Sequence, residues 1–239
     1  MDDLPRQAHF GALVARAQAC QRCPRMVGRT RVLSAQNGPL DARVLFVAEA
    51  PGRLGGDRTG VPLSADQSGR NFGEFLSGAG LDRADVFVTN AVLCNPRDAR
   101  GLNARPSVGE LRNCSTHLAD LLAILDPPWV VTLGRVALDA LGRIAPHNVV
   151  LARDVATPIP WHGRTLVPLY HPSPNSVAHR GRAQHHADYA RLVALLDGGA
   201  EMLAGVRWTA HARIRLVRHA EAALDQLKRL LMQHPGKDV

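Results

Sequence analysis

Four short apolar runs alternate with segments of helical periodicity between residues 10 and 196. The runs are continuous rather than alternating, which is typical of strands buried on both faces of a parallel sheet. They cover residues 43–48, 85–90, 129–133 and 165–170. The helical segments cover residues 10–19, 71–79, 108–125, 135–144 and 185–196. This order predicts an α/β fold, a three-layer α/β/α sandwich with a short, mainly parallel central sheet.

Parallel sheets of this kind bind ligands beyond the carboxyl ends of their strands. Three of the predicted strands end at or beside Ala48, Asn90 and Tyr170. We therefore expect the chemistry of the protein to lie in the loops that follow these three residues.

A glycine pair at residues 198–199 separates the patterned region from a tail rich in arginine and histidine, which runs from about Arg207 to Lys228. We predict a main domain over residues 1–199 and a basic, helical C-terminal extension over residues 200–239. The extension is either a terminal helix packed on the main domain or an arm that contacts a partner.

The chain carries 29 Lys and Arg against 21 Asp and Glu, a formal net charge of +8. An excess of this size favours a polyanionic partner such as nucleic acid, and an arginine-rich background composition is the alternative explanation. No run approaches the roughly 20 apolar residues of a membrane span, and residues 1–6 lack the layout of a signal peptide. We therefore expect no membrane partner and a cytoplasmic location, where thiols stay reduced.

All four cysteines of the chain fall into one pattern: Cys20 and Cys23 form a CxxC pair, and Cys94 and Cys114 follow. Four thiolates suit either a tetrahedral zinc ion or an iron–sulfur cluster. The alternative is that Cys94 and Cys114 are small buried apolar residues. The spacing alone leaves the three interpretations open.

Four motifs stand at the ends of the predicted strands. They are Glu49-Ala50-Pro51-Gly52 with Gly55 to Gly60, then Pro62 to Gly69, then Val88-Thr89-Asn90, and finally Tyr170-His171-Pro172-Ser173-Pro174. In this order, and with the four cysteines, they resemble the uracil-DNA glycosylase superfamily, specifically its iron–sulfur families 4 and 5. The resemblance covers roughly residues 10–195.

The resemblance is to both families at once. The first motif is similar to that of family 4, with Ala48 where that family has Gly, whereas Asp66-x-Ser68-Gly69 looks more like family 5. Leu63 stands where the families carry a Phe that stacks on uracil. The chain is therefore identified as an intermediate member. These departures bear on which base it selects more than on which reaction it catalyses.

The resemblance implies hydrolysis of the bond between uracil and its sugar. It assigns His171 to the leaving uracil anion and Asn90 to recognition of the base. Among three carboxylates in the first loops, Glu49, Asp57 and Asp66, it favours Asp66 for water activation or charge stabilisation, with Glu49 in support. The residues expected to line the base site are Ala50, Gly52, Leu63, Ser64, Asn90 and Ser173.

The stretch 172–182 resembles the DNA-intercalating loop of the superfamily. The DNA contacts expected from it are Ser173, Asn175, Ser176, Arg180 and Arg182. The resemblance also selects a [4Fe-4S] cluster over zinc, with Cys20, Cys23, Cys94 and Cys114 as its ligands. The expected partner is double- or single-stranded DNA that contains uracil, bound by a monomer in the bacterial cytoplasm and associated with the nucleoid while on DNA.

Two alternatives remain. One is a glycosylase for other deaminated bases, such as hypoxanthine or xanthine, because Leu63 in place of an aromatic ring would leave a looser pocket. The other is a DNA-binding module that has the fold but little catalysis. A Schiff-base lyase step has no candidate residue in the main domain, since Lys228 and Lys237 are the only lysines of the chain.

Overall fold

The computed structural model describes the backbone of residues 3–202 and the side chains of residues 4–198. The compact unit that contains the sheet extends to Leu195. Nearly all of the predicted basic extension, residues 203–239, lies outside the described residues, so the proposed division after residue 199 stays a prediction.

The centre of the fold is a five-stranded sheet with the order β2-β1-β3-β5-β4. Its strands are β1 (Val44–Ala48), β2 (Phe87–Asn90), β3 (Trp129–Leu133), β4 (Ile159–Trp161) and β5 (Arg164–Leu169). All neighbouring pairs are parallel except β4 and β5. Strands β1, β2 and β3 are buried at every position, as the continuous apolar runs predict. The mainly parallel sheet of the sequence prediction is confirmed.

Strand β4 is a feature that the apolar pattern does not reveal. It has only three residues, two of them partly or fully exposed, and one of these is Pro160. It pairs with β5 through a two-residue turn at His162 and Gly163, where φ is +48° and +71°. Positive φ at both turn positions is typical of the tight turns that join antiparallel strands. Proline is tolerated here because β4 is an edge strand.

Helices cover both faces of the sheet, which gives the three predicted layers. They are α1 (Asp3–Gln18), α2 (Gly56–Thr59), α3 (Gln67–Gly78), α4 (Val108–Leu125), α5 (Arg135–Gly142), α6 (Leu151–Asp154), α7 (Pro174–Arg180) and α8 (Arg182–Met202). Helices α1, α4 and α5 share a buried cluster with Leu45 and Val47 of β1. On the other face, Phe72 of α3 and Tyr189 of α8 pack on Phe46, with ring centroids 5.3 and 6.4 Å from it.

Two helical segments differ from the sequence pattern. Residues 174–180, expected as part of a loop, form the short helix α7, because Ser173 caps its start and Pro174 takes the first helical position. Helix α1 begins at Asp3 rather than near residue 10 and ends before the first cysteine. Over the described part of the chain, no helix is long and apolar enough to cross a membrane.

Candidate functional site

The four parallel strands place four loops along one edge of the sheet. Ala48 and Asn90 are register partners at the ends of β1 and β2, and Leu133 and Leu169 are partners at the ends of β3 and β5. The segments that follow these ends carry the residues predicted from the motifs. The topology therefore brings these segments to the edge where parallel sheets bind ligands, and the chemistry expected of them stays a prediction.

Asn90 ends β2, and only 2% of its surface is exposed. Its Nδ2 is buried without a hydrogen-bond partner among the described residues. An unpaired buried polar group costs about 1–3 kcal/mol, so the free protein keeps a donor that a ligand would satisfy. An amide also carries an acceptor oxygen, so this side chain could read a donor and an acceptor on the edge of a base.

His171 follows β5 and lies close to the end of β3. A Cβ placed on Gly134 would be 3.2 Å from the Cβ of His171, and Gly134 has a φ of +90°. A side chain at position 134 would therefore be both strained and crowded. Glycine at this position lets the histidine approach the centre of the sheet edge.

The hydrogen bonds of His171 fix its tautomer. Its Nδ1 accepts from the backbone N–H of Ser173 at 3.1 Å, so the neutral ring carries its proton on Nε2. Burial, and to a lesser extent the nearby His185, lower the pKa of His171 to about 4. At neutral pH the ring is therefore uncharged and presents one N–H donor, at Nε2.

Glu49 directly follows β1 and is partly buried. Burial raises the pKa of its carboxyl group, and the charge of Arg105 partly opposes this effect. A carboxylate in such a position keeps a stronger affinity for protons than one in water, which is what a general base requires. Because Ala48 is the register partner of Asn90, Glu49 begins next to the base-reading position.

Asp66 occupies a different position, at the start of α3. Its Oδ1 accepts from the backbone N–H of Gly69 at 2.9 Å and so caps the helix. A Cβ placed on either Gly52 or Gly55 would collide with its Oδ2. Asp66 therefore holds α3 against the loop after β1, and Gly52, expected in the base site, is glycine because Asp66 lies against it.

The other predicted base-site residues lie in the same pair of loops. Leu63 has a φ of +49°, a left-handed conformation that is rare for leucine. Ser64 donates to the carbonyl of Val61 at 2.8 Å and contacts the hydroxyl of Thr59 at 2.6 Å, which fixes this turn. Ala50 packs against the core cluster. The structure brings these residues to the same edge as Glu49, and their roles stay predictions.

Asp57, the third carboxylate considered, belongs to a framework of hydrogen bonds that joins loops of the protein. Its carboxylate is 2.6 Å from the guanidinium of Arg97 and accepts from the backbone N–H of Thr30 at 3.2 Å. Arg97 in turn donates to the side chain of Asn95 at 2.8 Å. Because the Asp57 side chain is only 7% exposed, it has little access to solvent or to a substrate.

Two asparagines continue this framework across the site. Asn95 donates to the carbonyl of Pro51 at 2.6 Å and to the side chain of Asn103 at 3.0 Å. The side chain of Asn103 accepts from the backbone N–H of Arg53 at 2.9 Å. The loop that follows Cys94 is therefore bonded to the loop that follows β1.

Asn71 is a buried residue that the motifs did not identify. It lies in α3, is 1% exposed, and donates from Nδ2 to the carbonyl of Pro172 at 2.9 Å. The sequence held one signal of it, because Asn71 is the only polar residue among the buried residues of this helix, which otherwise are Phe72, Phe75 and Leu76.

The residues predicted to contact DNA lie on and around α7. Ser173 accepts from the backbone N–H of Ser176 at 3.4 Å and caps the helix, and Asn175 is exposed. Arg180 donates to both oxygens of Asp188, at 2.6 and 2.7 Å. Arg182 donates to Glu74 at 2.5 Å. Phosphate contacts by the two arginines stay predictions, and they would need N–H groups that these ion pairs leave free.

The four cysteines line one pocket, together with Arg22, Met26, Arg31, Val92 and Asn113. Among the described residues, no group of three His, Cys, Asp or Glu side chains could hold a metal ion as it stands. Which metal group the four thiols would hold stays a prediction.

The surroundings of the pocket favour a negatively charged occupant. Arg31 lines it, and the Nε of Arg31 is buried without a hydrogen-bond partner in the described structure. The Sγ of Cys114 accepts from the backbone N–H of Leu93 at 3.4 Å, and that of Cys23 accepts from Asn113 at 3.5 Å. Hydrogen bonds to sulfur and nearby cations are features of iron–sulfur sites.

The pKa values of the thiols differ with their depth. Burial raises the pKa of Cys94 to about 11 and that of Cys114 to about 12. Burial also acts on Cys20, but hydrogen bonds from Arg22 and the charges of Arg22 and Arg31 outweigh it and lower the pKa of that thiol. Two of the four ligands would therefore lose their protons only when a metal group binds.

These features define a class: a three-layer α/β protein with an amide and a neutral histidine at the carboxyl edge of its sheet, and a four-cysteine pocket beside it. Comparison with known proteins identifies the family. Residues 35–194 match the model of the uracil DNA glycosylase superfamily. The chain belongs to this superfamily.

Relatives named type 4 and relatives named type 5 were both found, as the mixed motifs predicted. The type-4 uracil-DNA glycosylase of Thermotoga maritima is 33% identical over 159 residues, which are 66% of this chain and 78% of the relative. The type-5 uracil-DNA glycosylase of Pyrobaculum aerophilum is 31% identical over 196 residues, which are 70% of this chain and 84% of the relative. The type-4 enzyme of Archaeoglobus fulgidus is 25% identical over 185 residues.

Proposed function

We propose that this protein hydrolyses the N-glycosidic bond of uracil in DNA and leaves an abasic site. The observation that carries the proposal is the pair of unsatisfied donors at one sheet edge. Asn90 holds a buried N–H without a partner, and the tautomer of His171 leaves its Nε2–H as the free donor of a neutral ring. Uracil offers carbonyl acceptors on both sides of its N3–H, so it has groups for both donors.

In the proposed reaction, the bond between N1 of uracil and C1′ of the sugar breaks, and its electron pair leaves with uracil. The negative charge develops on the ring and its O2, where the Nε2–H of His171 would stabilise it. A preorganised donor of this kind is worth roughly 2.7–4 kcal/mol of barrier. Asn90 would donate to O4 and accept from N3–H, which cytosine does not offer in the same arrangement.

Water completes the reaction by bonding to C1′ and giving its proton to a carboxylate. The sequence favours Asp66 for this role, whereas the contacts favour Glu49. Asp66 already caps α3 with Oδ1 and contacts Gly52 and Gly55 with Oδ2. Glu49 has a raised pKa and stands beside the base-reading strand. We assign the proton transfer to Glu49 and a loop-positioning role to Asp66.

A [4Fe-4S] cluster fits the four-cysteine pocket by ligand type and by the cations around it. Cys20, Cys23, Cys94 and Cys114 would hold it. When bound, such a cluster would tie the N-terminal segment, the loop after β2 and helix α4 together. None of the steps described above requires electron transfer, so its role in this proposal is structural.

The proposed partner is uracil-containing DNA, double- or single-stranded, bound by a monomer in the cytoplasm. The net charge of +8 supports a polyanionic partner. Leu63 in place of an aromatic ring favours one further candidate, excision of hypoxanthine or xanthine, because a pocket without the stacking ring has room for a purine.

The test is excision from labelled duplexes and single strands, each with one uracil, hypoxanthine or xanthine, followed by alkaline cleavage at abasic sites. We expect cutting at uracil, with Asn90→Ala and His171→Ala slowing it by at least about 10²-fold. The matched controls are Asn37→Ala and His147→Ala. In the wild type, the buried side chain of Asn37 is bonded to the carbonyl of Val88, and that of His147 is bonded to the carbonyl of Leu138. Both controls should keep the wild-type rate.

The other possible results of this experiment lead to different conclusions. Cutting at hypoxanthine or xanthine alone would retain the reaction and replace the substrate. DNA binding without cutting at any base, in protein that carries its cluster, would identify a binding module. A uracil-cutting enzyme that tolerates both Asn90→Ala and His171→Ala would refute the site assigned here.

A further inference from the structure

The carbonyl of Pro172, next to His171, is bonded to the buried side chain of Asn71 at 2.9 Å. This bond joins helix α3 to the segment after β5 across 101 positions of the chain. Proline has no N–H, so its carbonyl is the only backbone hydrogen-bonding group that position 172 can offer. Asn71 is therefore well placed to fix the segment that presents His171.

The orientation of the Asn71 amide is set by two further contacts. Its Oδ1 accepts from Gln67 at 2.9 Å and from Arg182 at 3.3 Å. Since the oxygen receives both of these donors, the NH2 group must face Pro172. Arg182 is itself held by Glu74. Asn71 thus connects α3, the segment after β5 and the start of α8.

The bond acts on the histidine through one short stretch of backbone. Pro172 lies between His171 and Ser173, and the N–H of Ser173 donates to Nδ1 of His171. A shift of Pro172 would move both the ring and the donor that fixes its tautomer. We propose that Asn71 is a positioning residue for His171: through Pro172 it keeps the Nε2–H of His171 directed at the leaving base. This inference rests on the proposed function.

The first test uses Asn71→Asp, which keeps an acceptor for Arg182 and Gln67 but has no donor for Pro172. We expect kcat for uracil excision to fall by roughly 10–100-fold, because small misplacements of a catalytic group are this costly. KM should change less than about threefold, since Asn71 is buried away from substrate. The control is Asn37→Asp, which removes the equivalent bond to the carbonyl of Val88 and should affect stability alone.

A double-mutant cycle shows whether Asn71 acts through the histidine. In the His171→Ala background, Asn71→Asp should cause almost no further loss of kcat, because the group that it positions is gone. If instead the two losses multiply, or if Asn71→Asp raises KM at unchanged kcat, the positioning role is wrong.

A second measurement is independent of turnover. In protein with 15N-labelled histidine, wild-type His171 should show an unprotonated Nδ1 and a protonated Nε2, with the signals assigned by their loss in His171→Ala. We expect Asn71→Ala to mix the two tautomers while Asn37→Ala leaves the spectrum of His171 unchanged. An unaltered His171 spectrum in Asn71→Ala would overturn the inference. Absence of uracil excision by the wild type would refute the proposed function separately, because this spectrum does not depend on it.

Discussion

Replacement of Asn90 by leucine should leave the stability of the free protein close to that of the wild type while it destroys the activity. Leucine has the same branching as asparagine but is larger, and it removes a buried N–H that has no partner in the described structure. The unpaired group costs about 1–3 kcal/mol, and overpacking by the larger side chain costs about as much. We therefore expect the two effects to offset each other to within about 1 kcal/mol in the free energy of unfolding.

The same change in a satisfied asparagine should clearly lower the free energy of unfolding. Asn37 is fully buried, and its Nδ2 donates to the carbonyl of Val88 at 2.7 Å. Asn37→Leu leaves that carbonyl without its partner, so we expect a loss of about 1–3 kcal/mol. The comparison of the two variants removes effects that are common to any buried Asn→Leu change.

The assay measures urea-unfolding midpoints of wild type, Asn90→Leu and Asn37→Leu in anaerobic buffer, and single-turnover excision of uracil for each. Asn90→Leu should unfold near the wild-type urea concentration, well above that of Asn37→Leu, and lose at least about 10²-fold in rate. Asn37→Leu should unfold at lower urea with its rate intact. If Asn90→Leu is destabilised as much as Asn37→Leu, the Asn90 amide is satisfied in the free protein. If Asn90→Leu excises uracil normally, Asn90 does not read the base.

Three further predictions concern pH, the carboxylates and the cysteines. Excision requires ionised Glu49, whose pKa is raised by burial, so the rate should fall with decreasing pH at values above the usual carboxyl range. In Glu49→Gln the slow residual rate should stay level until the pH approaches about 4. Near that pH, protonation of His171 places a proton on Nδ1, which then faces the N–H of Ser173 instead of accepting from it. A pH–rate profile of both proteins checks this. Glu49→Gln should lower kcat more than Asp66→Asn does. Asp66→Asn should lower the thermal stability more, because Asp66 caps α3. If Asp66→Asn instead has the larger effect on kcat, the proton transfer belongs to Asp66. Cys114→Ala should lower the iron and sulfide content of the purified protein and its visible absorbance, because a ligand of the proposed cluster is lost. Full iron content in this variant would contradict the ligand set.

The sequence predicts four of the five strands and misses β4, for a physical reason. Strands buried on both faces must be apolar at every position, so β1 and β3 are visible as runs. Strand β4 packs on one neighbour and contains Pro160, which leaves no such pattern. Helix α7 was missed because serine and proline occur both in loops and at helix starts, and the local sequence does not distinguish these cases.

The site shows the same division between local and long-range information. Motif order places Asn90 and His171 at strand ends, and the topology then brings those ends to one edge. The ion pair of Arg180 with Asp188 and the bond of Asn71 to Pro172 depend on how helices pack. The sequence alone does not show that an arginine in a basic stretch already has a carboxylate partner. Nor does it show which acceptor a buried asparagine bonds to.

The bonds of Asn95 also bear on how the substrate range of such an enzyme could diversify. Through Asn95 and Asn103, the segment that carries Cys94 is fastened to Pro51 and Arg53. Substitutions on that flank would disturb the cysteine pocket and the proposed base site together, so selection would remove most of them. Leu63 is an apolar side chain outside this bonded frame. New base preferences should therefore arise by changes around Leu63, while the flank next to the cysteines stays constant among descendants of this protein.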